Sequence, residues 1–208
     1  MVMKRIWDIS PAVDNNAAVF PGDTAYSQKL HFTLDANCPV NVHSITLSPH
    51  TGAHADAPMH YAAGGVAVGA LDLAPYLGIC RVIHCIAVGP LIQPEHIAHA
   101  LENLPPRVLI RTTNIARQDW NNFTAFAAET ISLLATHGAI LVGIDTPSVD
   151  PATSQGLPSH HTLLQHDLRV LENLVLDAVD AGDYELIALP LKLMQADASP
   201  VRAILREL

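Results

Sequence analysis

The chain has 208 residues, of which 50% are hydrophobic and 15% are charged, a composition that can fill a large core and argues against disorder. The formal net charge is −9 and lysine and arginine together number only 11, which excludes a typical nucleic-acid-binding protein. The 3 cysteines form no C-x-x-C pair, and the sequence contains neither a signal-peptide pattern nor an apolar run of membrane-spanning length. We therefore expect one domain over residues 1–208 in a soluble, cytoplasmic protein without membrane partners.

The first half of the chain predicts strands and no clear helix. Residues 20–23 have the sequence F-P-G-D, with Pro and Gly at the positions that a type II turn favours. The glycine-rich residues 61–69 predict an irregular loop, of the kind that lets backbone approach a ligand. Patterns of β-branched and aromatic residues predict strands over residues 4–9, 24–34 and 40–48.

The second half alternates strand and helix patterns. Pro94 is placed as at a helix start, and Gly138 as just beyond a helix end. This alternation predicts βαβ units and a largely parallel sheet. The predicted elements are strands at 79–88, 107–112, 139–144 and 184–191, helices at 94–103 and 124–136, a helix beginning at Thr162, and a closing segment at 199–206. Strand 184–191 is expected to end the sheet.

Three histidines and one aspartate lie within eleven residues, and most of the side chains between them are small. They stand at even offsets from one another: His50, His54, Asp56 and His60. Side chains on an extended backbone alternate between two faces, so an extended segment places these four groups on one face. A helix is the competing geometry because His50 and His54 are four residues apart. Gly52 and Pro58 disfavour that helix.

Four ionisable groups on one face are costly to bury unless a partner satisfies them. Imidazole and carboxylate groups together suit Zn²⁺, Mn²⁺ or Fe²⁺. For any single residue, a hydrogen-bonded polar cluster or a histidine on a surface loop is the simpler explanation. The whole constellation favours a metal site.

A second group of candidate ligands follows residues 156–159: His160, His161, His166 and Glu172. Glu172 lies in the otherwise apolar run of residues 170–176. A carboxylate in such a run is either on an exposed face or buried beside a cation that neutralises it. The sequence leaves both alternatives open.

The histidine segment, His50-Thr-Gly-Ala-His54-Ala-Asp56-Ala-Pro-Met-His60, resembles the H-T-G-T-H-x-D-A-P-x-H motif of the cyclase-like metal-dependent hydrolases, with Ala53 in place of the second Thr. Within that family the chain is similar to the bacterial kynurenine formamidases over nearly its whole length. The blocks that carry this similarity are residues 6–11, 20–24, 143–151, 171–174 and 182–191. The resemblance implies a swivelling β/β/α fold, an α/β domain with a mixed sheet, a β-rich first half and a βαβ second half, assembled as a homodimer.

The resemblance also implies hydrolysis of a small molecule, N-formyl-L-kynurenine, to L-kynurenine and formate at a binuclear zinc site. The implied ligands are His50, His54 and Asp56 for one zinc, and Asp56, His160 and Glu172 for the other, with Asp56 bridging. Mn²⁺ suits the same ligands, and the contribution of His161 or His166 stays open. His60 matches the family's catalytic acid/base. Phe20 replaces a tryptophan that contacts the substrate, which keeps an aromatic face without the indole N–H.

Other functions remain open at this point. An isatin-type hydrolase of cyclic amides uses the same motif with a different pocket. A non-catalytic metal-binding protein is the alternative from another class. A serine-hydrolase mechanism needs a G-x-S-x-G nucleophile elbow, which the sequence lacks.

Overall fold

The structure is a computed structural model that describes residues 4–114 and 120–208. In chain order its strands are β1 (Ile6–Asp8), β2 (Ser27–Phe32), β3 (Val42–Thr46), β4 (His54–Asp56), β5 (Leu77–His84), β6 (Leu91–Ile92), β7 (Arg107–Arg111), β8 (Ala125–Phe126), β9 (Leu141–Ile144), β10 (Arg169–Glu172), β11 (Gly182–Ile187), β12 (Ala198–Pro200) and β13 (Ile204–Arg206). Its helices are α1 (Pro58–Tyr61), α2 (Pro94–Ile97), α3 (Ala128–Thr136) and α4 (Pro158–Gln165). Short 3₁₀ turns lie at Val68–Ala70, Ala74–Tyr76 and Ala98–Ala100.

A nine-stranded mixed sheet organises the fold, in the order β1-β13-β11-β5-β7-β9-β10-β4-β12. The pairs from β5 through β7 and β9 to β10 are parallel, and the other pairs are antiparallel. Val108, Leu109 and Ile110 on the central strand β7 are fully buried, as expected for parallel strands covered on both faces. The structure thus confirms the predicted α/β class with a mixed sheet.

The sheet is strongly curled. Strands β12 and β13 are seven positions apart in the sheet order, about 34 Å in a flat sheet with ordinary strand spacing. The segment 201–203 that joins them spans at most about 14 Å. Hydrogen bonds close the gap: Val201 N–H donates to the Ala53 carbonyl (2.8 Å) and Ile9 N–H to the Ala203 carbonyl (3.0 Å).

Each face of the sheet packs into its own core. Inside the curl, Leu109, Leu171 and Leu205 belong to one buried cluster. On the outer face, α3 and α4 cover the sheet and add Leu134 and Leu163 to a second cluster. Neighbouring residues of β7 alternate between these two clusters, which follows from the two-residue period of a strand.

Strands β2 and β3 form a separate hairpin that pairs with no strand of the large sheet. Every residue of both strands is exposed. The exposed residues include the large apolar side chains of Leu30, Phe32, Val42 and Ile45. Among the described residues, this is the one pair of strands without a buried position.

Several predicted elements differ from the structure. The helix predicted from Thr162 begins at Pro158, because proline is favoured in the first helical turn. The helix predicted at 94–103 is a single α-turn followed by a 3₁₀ turn. The first residues of the helix predicted at 124–136 pair instead as β8. Residues 184–191 do not end the sheet, because β11 lies between β13 and β5.

The cysteines are free, and Cys80 and Cys85 are buried at β5 and just beyond it. This agrees with the expectation that they form no disulfide framework. Within residues 4–114 and 120–208, no helix is long and apolar enough to cross a membrane. The cytoplasmic location stays a prediction.

Candidate metal centre

Three neighbouring strands hold the core of the centre. Strand β4 lies between β10 and β12, and both pair with it in antiparallel register. The register sets Glu172 of β10 directly opposite His54 of β4. Glu172 is only 3% exposed, so of the two alternatives the sequence left open, the buried carboxylate is the correct one.

The prediction that one extended face carries all four groups of the histidine segment is wrong. Only His54–Asp56 is a strand. His50 lies in the preceding turn, where Gly52 adopts a left-handed conformation with φ of +69°. Pro58 starts the short helix α1, which contains His60. The turn at Gly52 and the start of α1 still bring the imidazole rings close together. The centroid separations are 5.1 Å for His50–His54 and 4.3 Å for His50–His60.

Asp56 is the centre of the cluster. Its Oδ1 lies 3.0 Å from His50 Nδ1 and 3.4 Å from His54 Nε2. Its Oδ2 lies 3.4 Å from His160 Nε2. Glu172 approaches the same nitrogen atoms of two of these rings, with Oε2 3.2 Å from His54 Nε2 and Oε1 3.7 Å from His160 Nε2.

The outer nitrogens of two rings fix their tautomers. His54 Nδ1 lies 2.9 Å from the Gly52 carbonyl oxygen, which can only accept, so Nδ1 carries the proton. His160 Nδ1 lies 2.7 Å from Asp150 Oδ2 and donates to that carboxylate in the same way. In the neutral rings, both Nε2 atoms therefore direct lone pairs at the oxygens of Asp56 and Glu172.

These inward atoms have no hydrogen-bond partner in the described part of the chain. His54 Nε2, His160 Nε2 and both carboxylate oxygens of Asp56 are buried and make no well-aligned hydrogen bond, although Asp56 lies 3.0 to 3.4 Å from the nearest imidazole nitrogens. Lone pairs that face one another in a dry interior are costly unless a cation lies between them. The donor set therefore fits a divalent metal ion, and imidazole with carboxylate suits Zn²⁺ or Mn²⁺.

Charge in the cluster supports the same conclusion. Burial would lower the pKa of His160, but Asp150 and Asp56 outweigh it and raise the pKa to about 10. Burial likewise opposes the raised pKa of His50, about 9, which Asp56 and Asp197 produce. Burial would raise the pKa of Asp56, but His160 and His50 hold it well below its ordinary value. The carboxylate stays charged, and a metal cation would replace the protons that otherwise balance it.

All five predicted ligands lie in this cluster. Their atoms can be divided between metal ions in more than one way. The ligand atoms of His54, Asp56 and Glu172 lie within 4.8 Å of one another. A second group with the same property is His50, Asp56 and His60. The division between two ions that the family resemblance implies stays a prediction. His161 and His166 are exposed and do not line the cavity beside the cluster.

Two aspartates of the site were missed by sequence reasoning. Asp150 holds His160 and lies within the block 143–151 that carries the family resemblance, so that block was an available signal. Asp197 Oδ2 lies 3.2 Å from His50 Nε2 and 3.3 Å from His60 Nδ1. Burial would raise the pKa of Asp197, but His50 and then His60 lower it. No motif or spacing pointed to Asp197, which is 137 residues from His60.

A cavity of about 280 Å³ opens above the cluster. His54, His160 and Glu172 line its floor, and His60 is 34% exposed beside it. Phe20 and Trp120 contribute aromatic walls, with ring centroids 5.2 Å apart and an edge-to-face angle of 90°. The family resemblance implied Phe20 as a residue that contacts the substrate, whereas Trp120 was not among the predicted site residues. The arrangement can bind a planar aromatic group beside a metal centre.

Comparison with known proteins agrees with this geometry. The family model described as putative cyclase matches residues 7–151. A kynurenine formamidase from Polaromonas naphthalenivorans is 73% identical over 204 residues, covering 98% of this chain and 92% of the relative. The kynurenine formamidase of Bordetella pertussis is 63% identical over 208 residues, covering 99% and 100%.

Solved structures extend the similarity to the fold. A potential metal-dependent hydrolase with cyclase activity has a TM-score of 0.84 at 26% identity, covering 99% of this chain and 98% of its own. Isatin hydrolase A from Labrenzia aggregata shares the fold, with a TM-score of 0.78 at 22% identity, covering 98% and 94%. The chain therefore belongs to the cyclase family and, within it, to the kynurenine formamidases.

Proposed function

We propose that the protein hydrolyses N-formyl-L-kynurenine to L-kynurenine and formate. One observation carries the proposal: a buried His/Asp/Glu cluster with unpaired inward atoms lies at the floor of a cavity with aromatic walls. The substrate has the matching parts, a formamide to be attacked and an aryl ring to be bound. The high identity to kynurenine formamidases supports the choice of this substrate.

The metal of this enzyme is proposed to be zinc, with two ions per subunit and Mn²⁺ as the alternative. The proposed ligands are His50, His54, Asp56, His160 and Glu172, with the Asp56 carboxylate shared. Metal held there supplies Lewis acidity and lowers the pKa of a coordinated water to about 7, which gives a nucleophile at neutral pH. Asp150 and the Gly52 carbonyl orient two of the ligand rings from behind.

His60 is proposed as the acid/base. It lies at the rim of the cluster, with its ring 4.3 Å from His50 and 5.8 Å from His160 between centroids. An arylamine anion is a poor leaving group, so the nitrogen must be protonated as the C–N bond breaks. A histidine suits that task near neutral pH.

The substrate ring is proposed to bind against Phe20 and Trp120. Their edge-to-face arrangement leaves aromatic surface on the cavity, and stacking on such surface adds about 0.5–1.5 kcal/mol beyond burial of area. Trp120 also carries an indole N–H, the group that Phe20 lacks at its own position. Ring binding beside the metals would orient the formyl group toward the floor.

The proposal is tested with untagged protein. We expect stoichiometric metal by elemental analysis and hydrolysis of N-formyl-L-kynurenine that a chelator abolishes and added metal restores. His60→Ala should keep its metal and lose most of its turnover, by about 100- to 10,000-fold, the usual contribution of acid–base catalysis. Full activity in that variant would remove His60 from this role.

A substrate panel separates the neighbouring functions. Isatin as the preferred substrate would replace the formamidase proposal with a cyclic-amide hydrolase. Stoichiometric metal without hydrolysis of any formyl-aniline would indicate a metal-binding protein without this activity.

We also propose that the protein is a homodimer that packs through the β2–β3 hairpin. A two-stranded hairpin alone in water is marginally stable. This one exposes Leu30 (46%), Phe32 (56%) and Ile45 (58%). Several large apolar side chains exposed on one hairpin mark an interaction surface, and a second copy of the chain is the occupant that the homodimer proposal requires.

A further inference from the structure

Asp197 joins two histidines that have different proposed tasks. Its Oδ2 atom lies 3.2 Å from Nε2 of His50, a proposed ligand, and 3.3 Å from Nδ1 of His60, the proposed acid/base. An ionised carboxylate only accepts hydrogen bonds, so both ring nitrogens must carry a proton there. For His60 this leaves Nε2 as the nitrogen that is free to exchange a proton with substrate.

The backbone holds Asp197 rigidly at this place. The carbonyl of Asp197 accepts a hydrogen bond of 2.8 Å from the Ala57 N–H, immediately before helix α1. The next residue, Ala198, pairs with Asp56 in the sheet and is fully buried. The backbone of Asp197 is therefore fixed relative to both the metal cluster and the helix that contains His60, and the contacts with His50 and His60 orient its half-exposed carboxylate.

We propose that Asp197 is the positioning residue of His60. It holds the imidazole with its proton on Nδ1 and aims Nε2 at the leaving nitrogen, as the aspartate of a catalytic triad orients its histidine. This inference rests on the proposed formamidase function. Asp197 itself touches neither substrate nor reacting atoms.

The step that depends on this arrangement is the departure of the amine. The C–N bond of the tetrahedral adduct breaks, and its electron pair goes to the aryl nitrogen. The Nε2 proton of His60 bonds to that nitrogen, so the arylamine and formic acid leave and His60 becomes neutral. A misoriented His60 slows this step most when the leaving amine is strongly basic, because such an amine departs only with its proton.

The test is a series of para-substituted formanilides whose leaving amines differ in basicity, assayed at saturating metal. Asp197→Asn removes the charge and keeps an acceptor oxygen, whereas Asp197→Ala removes both. We expect kcat to fall by about 10- to 100-fold, the usual cost of losing such a supporting carboxylate. The loss should be larger in Asp197→Ala, should grow with amine basicity, and should leave KM and metal content unchanged.

The matched control is Asp177→Ala, which removes an exposed aspartate that does not line the cavity. It should keep the wild-type kcat throughout the series. The positioning role is overturned if the Asp197 variants keep the wild-type dependence on amine basicity. It is also overturned if excess metal alone restores their rate, because Asp197 would then act only through His50. A wild-type protein that hydrolyses no N-formyl arylamine would overturn the proposed function itself, and the positioning role with it.

Discussion

The metal centre and the β2–β3 hairpin place their side chains in opposite ways. At the centre, ionisable His54, Asp56 and His160 are 0%, 1% and 2% exposed. Along the hairpin, apolar Phe32 and Ile45 are 56% and 58% exposed. Charged groups are seldom buried without a partner, and large apolar groups are seldom exposed in rows. The first region is therefore the proposed site of a cation, and the second is the proposed contact surface for another copy of the chain.

The two regions also differ in how they are supported. The centre is fixed by strands on both sides of β4 and by hydrogen bonds behind its rings, so the fold itself holds its side chains close together. Among the strands that the structure describes, the two hairpin strands pair only with each other. Changes at the centre should therefore alter metal binding and chemistry at nearly constant fold, whereas changes at the hairpin should alter association.

The largest effect is expected at Asp56, the carboxylate that the metals are proposed to share. Asp56→Asn should lose metal and lower kcat/KM on the order of 1,000-fold, because metal catalysis contributes several kcal/mol and each 1.36 kcal/mol is tenfold in rate. Elemental analysis and the formylkynurenine assay measure both losses. A variant that still binds two equivalents of zinc would contradict the bridging role.

A smaller effect on metal binding is expected at Asp150, which contacts the proposed ligand His160 rather than the metal itself. Its carboxylate accepts from His160 Nδ1 and from the backbone N–H groups of Ser159 and His160. Asp150→Asn should weaken metal affinity by about 10- to 100-fold, as measured by competition with a chromophoric chelator.

The matched control for this change is Asp23→Asn, which makes the same substitution at the cavity wall. The Asp23 carboxylate accepts a hydrogen bond from Thr24 N–H, outside the metal cluster. Its metal affinity should stay at the wild-type value. An equal loss in both variants would mean that the cavity's overall charge, rather than the orientation of His160, sets the affinity.

The smallest effect on the isolated subunit is expected at the hairpin. Phe32→Asp should convert the proposed dimer into a monomer in light scattering after size exclusion. It should change the unfolding free energy of the subunit by only about 0.5 kcal/mol, as for most exposed positions, and keep the metal. Ser27→Asp, at the base of the same strand, should remain dimeric. A monomeric wild-type protein, or a dimeric Phe32→Asp variant, would contradict the role of the hairpin.

Local patterns in the sequence predicted much of the sheet. The run at 139–144 is apolar throughout, and the run at 107–112 has the apolar centre Val108–Ile110, because their strands are buried on both faces; the structure contains both strands. The order of the strands at the chain's end was not predictable in this way. Strands β12 and β13 acquire their places from partners far away in sequence, and three-residue strands leave little local signal.

The same limit applies to the site. The spacing of His50, His54 and Asp56 indicated metal chemistry, although the extended face that was meant to explain it was wrong. The burial of Glu172 could not be decided until its partner strand was known. The contact between Asp197 and His60 depends on the pairing of β12 with β4, which no spacing encodes.

That pairing has a consequence for biosynthesis. Strand β4, which carries His54 and Asp56, forms its ladders with β10 and β12, and both are synthesised more than a hundred residues later. Until translation has passed residue 160, His54 and Asp56 have no partner strand. Neither Glu172 nor Asp197 has yet been synthesised. The complete set of proposed ligands can therefore form only after Glu172 has been synthesised, and the contacts of Asp197 with His50 and His60 form later still.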